Sequence, residues 1–278
     1  MELGWLESIL YGLIMGLSEI LPVSSQAHRI LLLKLFGVSG DSALLRLFVH
    51  AAALVAIYIC SQTQIVKILR ARNLARIPKR KRRRPLDVKS LMDLRLWQTM
   101  IIPVILGYFL YEKLLPLGNN LLVLAGLMFV NGLILYIPQY LPSGNKDSRS
   151  LSRVEGLLMG LGGMLSIFPG VSGVGSALSI GSVCGVDRSY ALNMTLLMTI
   201  VSMIGLIVFD VLSIISVGLA GLTIMTLLSY LLASVFAFIS VMLGIRFMRV
   251  LAENTGFSVF TYYSWGLALF TFIMNLMS

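Results

Sequence analysis

The sequence predicts an all-α polytopic membrane protein: two inverted-topology repeats, each one re-entrant helical hairpin plus three transmembrane helices. Three observations lead there. Of the 278 residues, 58% are hydrophobic and only 12% charged, with a mean hydropathy of +0.91; a soluble domain carries about 25% charged residues. The apolar residues come in long continuous runs, not in the short alternating segments of a transmembrane barrel, and helices satisfy their own backbone in lipid. Two of the runs are broken by Pro, Gly and Ser and resemble each other. A soluble globular enzyme, a disordered chain and a disulfide scaffold are excluded. Cys60 and Cys184 both lie in apolar runs, with no redox or zinc spacing.

The first repeat spans 1–140. The N-terminus starts with acidic Glu2 and Glu7 and lacks a basic n-region, so the first apolar stretch, 6–36, reads as part of the mature chain. Leu-Pro-Val-Ser-Ser at 21–25 interrupts them, and neither half reaches the ~20 residues a crossing needs. The stretch therefore reads as a re-entrant hairpin with its tip inside the membrane. Crossings follow at 44–66, 97–115 and 120–139. The second repeat, 141–278, opens with a hairpin at 154–185, interrupted by Pro-Gly-Val-Ser-Gly at 169–173, and continues with crossings at 190–216, 219–249 and 257–277. Gly12-Leu-Ile-Met-Gly-Leu17 recurs as Gly156-Leu-Leu-Met-Gly-Leu161, and small residues at this spacing also let helices pack closely. A hairpin plus three crossings is an odd number of passages, so the second copy enters from the opposite face. Paired, interrupted apolar segments in corresponding halves point to a binding site near the midplane.

Orientation comes from charge. Residues 67–95 hold twelve of the 22 Lys and Arg against two acids, which accounts for the whole net charge of +10. Such a run reads as a cytoplasmic loop. Lys146, Arg149, Arg153, Arg246 and Arg249 then fall on the same side, and both termini fall outside. The run, densest at 79–84, also suits anionic headgroups; no nucleic-acid-binding module surrounds it, so nucleic acid is not expected as a partner.

The tips carry the chemistry. Glu19 and His28 are ionisable groups in an apolar stretch, which makes them functional candidates. Ser24 is placed to cap a helix starting near Ser25, whose N-terminal N–H groups would face the tip as an anion site. Gly170, Ser172, Gly173 and Gly175 offer a second cradle of backbone N–H groups. Two opposed tips would hold phosphate oxygens at depth.

Gly16-Leu-Ser-Glu-Ile-Leu-Pro-Val-Ser-Ser-Gln-Ala-His28 resembles the motif G-x-T-E-F-L-P-V-S-S-x-G-H of the undecaprenyl pyrophosphate phosphatase family, and Ile167-Phe-Pro-Gly-Val-Ser172 resembles the start of its second motif, P-G-x-S-R-S-G. The likeness extends to Pro103, Gly185-x-Asp187-Arg188, Phe260 and Tyr263. It implies hydrolysis of undecaprenyl pyrophosphate to undecaprenyl phosphate, for recycling the lipid carrier of cell-wall assembly in the bacterial inner membrane. The implied partners are the polyprenyl pyrophosphate or phosphate lipid and the bilayer, with a homodimer as one allowed state. Catalysis would fall to Glu19, His28 (general acid or nucleophile) and Ser25 (alternative nucleophile); Ser24, Gly170, Ser172 and Gly173 would bind the phosphates. A divalent cation, Mg or Ca, would be held by substrate oxygens with Glu19 as the obvious protein ligand.

The departures from the family pattern are as informative. Met15 stands where the family carries a carboxylate or amide, Gly173 where it carries Arg, Val174 in place of the following Ser, Gly163 in place of an amide, and Tyr263-Ser264 in place of Tyr-Arg. A guanidinium grips phosphate bidentately, and its loss should be costly. Arg29 and Arg46 are the candidate replacements, Arg46 sharing a helix face with His50. Met15 and Gly173 favour a non-hydrolytic polyprenyl-phosphate binding protein or translocase on the same fold; Glu19 and His28 favour the enzyme.

Overall fold

The computed structural model describes residues 3–38, 40, 42–142, 144–218, 222–254 and 257–277. The described residues form helices joined by short turns, with no strand beyond a single bridge between Lys146 and Val186. Residues 219–221, at the expected start of one crossing, lie outside the described set.

Each interrupted stretch is a pair of short helices. α1 (Trp5–Ile20) stops just before Leu21-Pro22, because the residue preceding a proline is driven out of the α region. Ser24 then caps α2 (Ser25–Leu35), its hydroxyl accepting from the Ala27 N–H. In the second half α6 (Arg153–Met164) gives way to a tight turn at Leu165–Ile167, and Ser172 caps α7 (Gly173–Val183) through the Gly175 N–H. The turn between them places Gly170 at φ +110°, a conformation L side chains rarely adopt. The mouths match as well: Glu7 accepts from the Gly4 N–H ahead of α1, and Glu155 from the Ser152 N–H ahead of α6.

Among the described residues, six helical segments are long and apolar enough to cross a membrane, and each corresponds to an expected crossing. They are α3 (Ala43–Arg76), α4 (Val88–Leu114) with the tight turn that continues it to Asn119, α5 (Leu121–Tyr136) with the tight turn that continues it to Tyr140, α8 (Arg188–Val217), α9 (Ile224–Asn254) and α10 (Val259–Met277). α3 and α4 run deep into the basic segment, so much of 67–95 is helix and only 77–87 forms the connection. Lys and Arg are good helix formers; Pro78 and Pro85 end the regularity, and Asp87 restarts it by capping α4. Leucine, isoleucine and phenylalanine cover the outer face, Phe109, Ile215 and Leu269 among them, as contact with lipid requires.

Packing follows the repeated Gly-x-x-x-Gly. A Cβ on Gly12 or Gly16 would collide with the carbonyls of Ala233 and Ala237 on α9, and one on Gly160 with the carbonyl of Met100 on α4. The two glycine stripes therefore bring α1 against α9 and α6 against α4 at backbone distance. α3 packs on α8 and α5 on α10, which leaves the two broken pairs facing each other across the centre. The fold is an all-α, multi-pass membrane protein.

Candidate active site

The two tips are tied together by hydrogen bonds. The Ser24 hydroxyl accepts from the Gly170 N–H at 2.9 Å, and Gln26 donates to the Ser166 carbonyl at 2.7 Å. Asn131 of α5 joins them a third time: its amide donates to the Pro22 carbonyl and the Ser264 hydroxyl, and its oxygen accepts from the Ser172 N–H at 2.8 Å. The N–H groups of Gly170 and Ser172, expected to bind anions, are thus occupied by Ser24 and Asn131. The remaining donors are those of the first two residues of each half-helix, Ser25 and Gln26 on α2 and Gly173 and Val174 on α7, which no carbonyl of their own helix can reach. All four residues line a cavity of about 60 Å³ between the tips.

Glu19, Ser24, Ser25, Arg29, Ser172 and Gly173 line that cavity; His28, Gly170 and Arg46 do not. Glu19 enters from the end of α1 and is 7% exposed, with Ser25, Arg29 and His50 as its polar neighbours. Arg29, 6% exposed, also lines an outer groove of about 560 Å³ shared with Lys34 and Arg46. His28 turns away: Nδ1 lies 2.7 Å from the Ser24 carbonyl and Nε2 2.7 Å from the Tyr263 hydroxyl, the two rings parallel within 2°. A carbonyl only accepts, so Nδ1 donates and, in the neutral ring, Nε2 accepts from Tyr263. This geometry fixes the first turn of α2 against α10. Glu19 and His28, expected to act together, are on different sides of α2.

Arg46 is committed elsewhere. Its Nε donates to Asp210 Oδ1 at 2.7 Å, and Asp210 Oδ2 lies 2.6 Å from His50 Nδ1. Nε2 of His50 faces Glu19 Oε1 at 3.7 Å. A buried chain Arg46–Asp210–His50–Glu19 thus leads from the outer groove to the cavity, with Asp210 only 1% exposed. Sequence reasoning missed Asp210. The signal was there, since a lone carboxylate within an apolar crossing is expensive unless paired. Asn131 carried a weaker signal of the same kind.

Four of the five expected departures from the family pattern share this cavity, while Ser264 lies outside it and accepts from Asn131. Met15, Gly163, Gly173 and Val174 all line it. A Cβ on Gly173 would lie 2.6 Å from the Gly163 carbonyl oxygen and 2.8 Å from Ser166 Cβ, so the backbones have closed over the space a side chain would need. Among the described residues no group of three or more His, Cys, Asp or Glu could hold a metal ion.

Residues 8–270 match the family described as bacitracin resistance protein BacA. Curated relatives cover nearly the whole chain. A protein named undecaprenyl-diphosphatase from Methanobrevibacter smithii is 30% identical over 273 residues, 96% of each chain. Proteins of the same name from Carboxydothermus hydrogenoformans and Halothermothrix orenii are 29% and 25% identical, over 97% and 96% of each chain.

Proposed function

This chain belongs to the family of bacitracin resistance protein BacA, and on that premise we propose that it hydrolyses undecaprenyl diphosphate to undecaprenyl monophosphate and inorganic phosphate. The observation that carries the proposal is the cavity between the tips, where two half-helix N-termini converge on a buried carboxylate and a buried guanidinium. Helix N-termini favour anions through free N–H groups and the helix dipole. The diphosphate would sit on the Ser25, Gln26, Gly173 and Val174 N–H groups, with Arg29 as the clamp in place of the family's Arg. Positive charge there stabilises the transferring phosphoryl group, which is where most catalysis of this class originates. Glu19 would orient the attacking water, Ser25 would bond a phosphate oxygen, and His28 would hold α2 in place. A divalent ion, where used, would arrive on the diphosphate's own oxygens. The polyprenyl tail would remain among the helices and lipid.

The same reading makes the chain two inverted repeats, 1–140 and 141–278. The exchange of partners supports it: α1 on α9 corresponds to α6 on α4, while α3–α8 and α5–α10 map onto themselves. Positive charge at 77–84 would then be cytoplasmic, in a bacterial cytoplasmic membrane.

The test is product analysis. Purified protein in detergent, given undecaprenyl diphosphate, is expected to yield the monophosphate and phosphate in equal amounts, with and without Mg. Binding of the monophosphate with no phosphate release would replace hydrolysis by carriage of the lipid.

A further inference from the structure

The chain has two histidines, and they are placed in opposite circumstances. His28 has both ring nitrogens engaged and lies outside the cavity. His50 lines the cavity and is 5% exposed. Its Nδ1 lies 2.6 Å from Asp210 Oδ2. A carboxylate only accepts, so Nδ1 carries the proton, and in the neutral ring Nε2 keeps its lone pair. The Arg46 Nε on the other oxygen of Asp210 holds that carboxylate in place. Nε2 lies on the Glu19 side, at 3.7 Å from Oε1: too long for a hydrogen bond, yet close enough to pair electrostatically once the ring is charged. The charged and titratable groups facing this assembly are Glu19 of α1, Arg29 of α2, Tyr108 and Tyr111 of α4, and Asp210 of α8.

We propose that His50 is the general base of the reaction, oriented by Asp210 and Arg46. The inference rests on the hydrolytic reading above. Water oxygen bonds to the terminal phosphorus while one water proton passes to His50 Nε2. The bond between that phosphorus and the bridging oxygen breaks, and its electron pair leaves with undecaprenyl monophosphate. The imidazolium stands between the Asp210 and Glu19 carboxylates, then gives its proton to the leaving oxygen. Atoms and charge balance without a co-reactant. An imidazole fixed by a carboxylate at one nitrogen and open at the other is the arrangement proton transfer needs.

The experiment measures phosphate release from undecaprenyl diphosphate by full-length protein in detergent, comparing wild type, His50→Gln, Asp210→Asn and His28→Gln, each with its melting temperature and its affinity for undecaprenyl monophosphate. Gln fills the site and donates to Asp210 but takes no proton. Expected for His50→Gln is a fall in kcat of about 10²–10⁴-fold with KM and monophosphate affinity within about threefold. Asp210→Asn, which still accepts from Nδ1–H, is expected to lose less in kcat and also to leave KM near wild type. His28→Gln should act mainly through melting temperature. A folded His50→Gln with kcat within about threefold of wild type overturns the proposal. Should His50→Gln not fold, an unchanged kcat in Asp210→Asn overturns it. Absence of phosphate release in the wild type is a different result: it removes the hydrolytic reading itself.

Discussion

The first hairpin tip brings Glu19, Ser25 and Arg29 to the cavity, whereas the second brings Ser166, Ser172, Gly173 and Val174. Both tips use the same backbone plan, a proline-containing turn followed by a serine that caps a helix of 11 residues. Both hairpins use the same glycine stripe to reach a neighbouring crossing. Packing therefore repeats across the halves while chemistry does not. Both tips supply backbone N–H groups, but the first adds charge and the second adds a tight wall. At Gly173 the walls of the second tip are closed, and the first half together with Asp210 holds the charged groups around the cavity.

The comparison can be broken most severely at Glu19. Glu19→Gln removes the charge at nearly constant shape and should lower the rate of phosphate release by about 10²-fold or more, while Ser166→Ala on the facing tip should stay within about tenfold. Equal losses would dissolve the asymmetry. Next in size is packing, where the halves should respond alike. Gly12→Leu and Gly160→Leu each drive a side chain into a carbonyl across the helix contact. Each should cost about 1–3 kcal/mol or more, read as lowered melting temperature in detergent. Gly173→Arg sharpens the point about closed walls: the new Cβ meets the Gly163 carbonyl, so the variant should be less stable and no more active than wild type. A gain in activity would show that the second tip still has room for its cation. Asn131→Ala leaves the Ser172 N–H and the Pro22 carbonyl without their partner and should cost about 1–3 kcal/mol.

The smallest effect lies at the mouth of the second hairpin. Lys146 at 2.7 Å and the Ser152 backbone and hydroxyl hold the Glu155 carboxyl down to about 2. A depressed carboxyl contributes stability above its unfolded pKa of 4.5, and that contribution is lost as pH falls from there through about 2. The pair is partly solvated, so the contribution is below about 1 kcal/mol. Glu155→Gln should melt slightly below wild type at pH 7, and the gap should narrow below about pH 4.5 and close near pH 2.

Much of this was legible in the sequence because its causes are local. Hydropathy and length place six crossings, the Pro-Ser and Pro-Gly-Val-Ser stretches place both tips, and the glycine repeat places two helix contacts. The ends of α3 and α4 were not legible from hydropathy, since Lys and Arg stop an apolar run without stopping a helix. The direction of His28 depends on Tyr263, 235 residues away, and no local pattern encodes it. Asp210 and His50 are likewise joined across 160 residues, so their pairing becomes visible only in three dimensions. The motif pointed to one histidine; the cavity contains the other.

The most direct test of the account is single-turnover phosphate release from undecaprenyl diphosphate by wild type and Glu19→Gln, with monophosphate binding measured on both. The account predicts release by the wild type, at least about 100-fold slower release by Glu19→Gln, and similar binding by the two. Equal release by both proteins would contradict a first-tip carboxylate as the centre of the chemistry, and release by neither, with binding intact, would contradict hydrolysis.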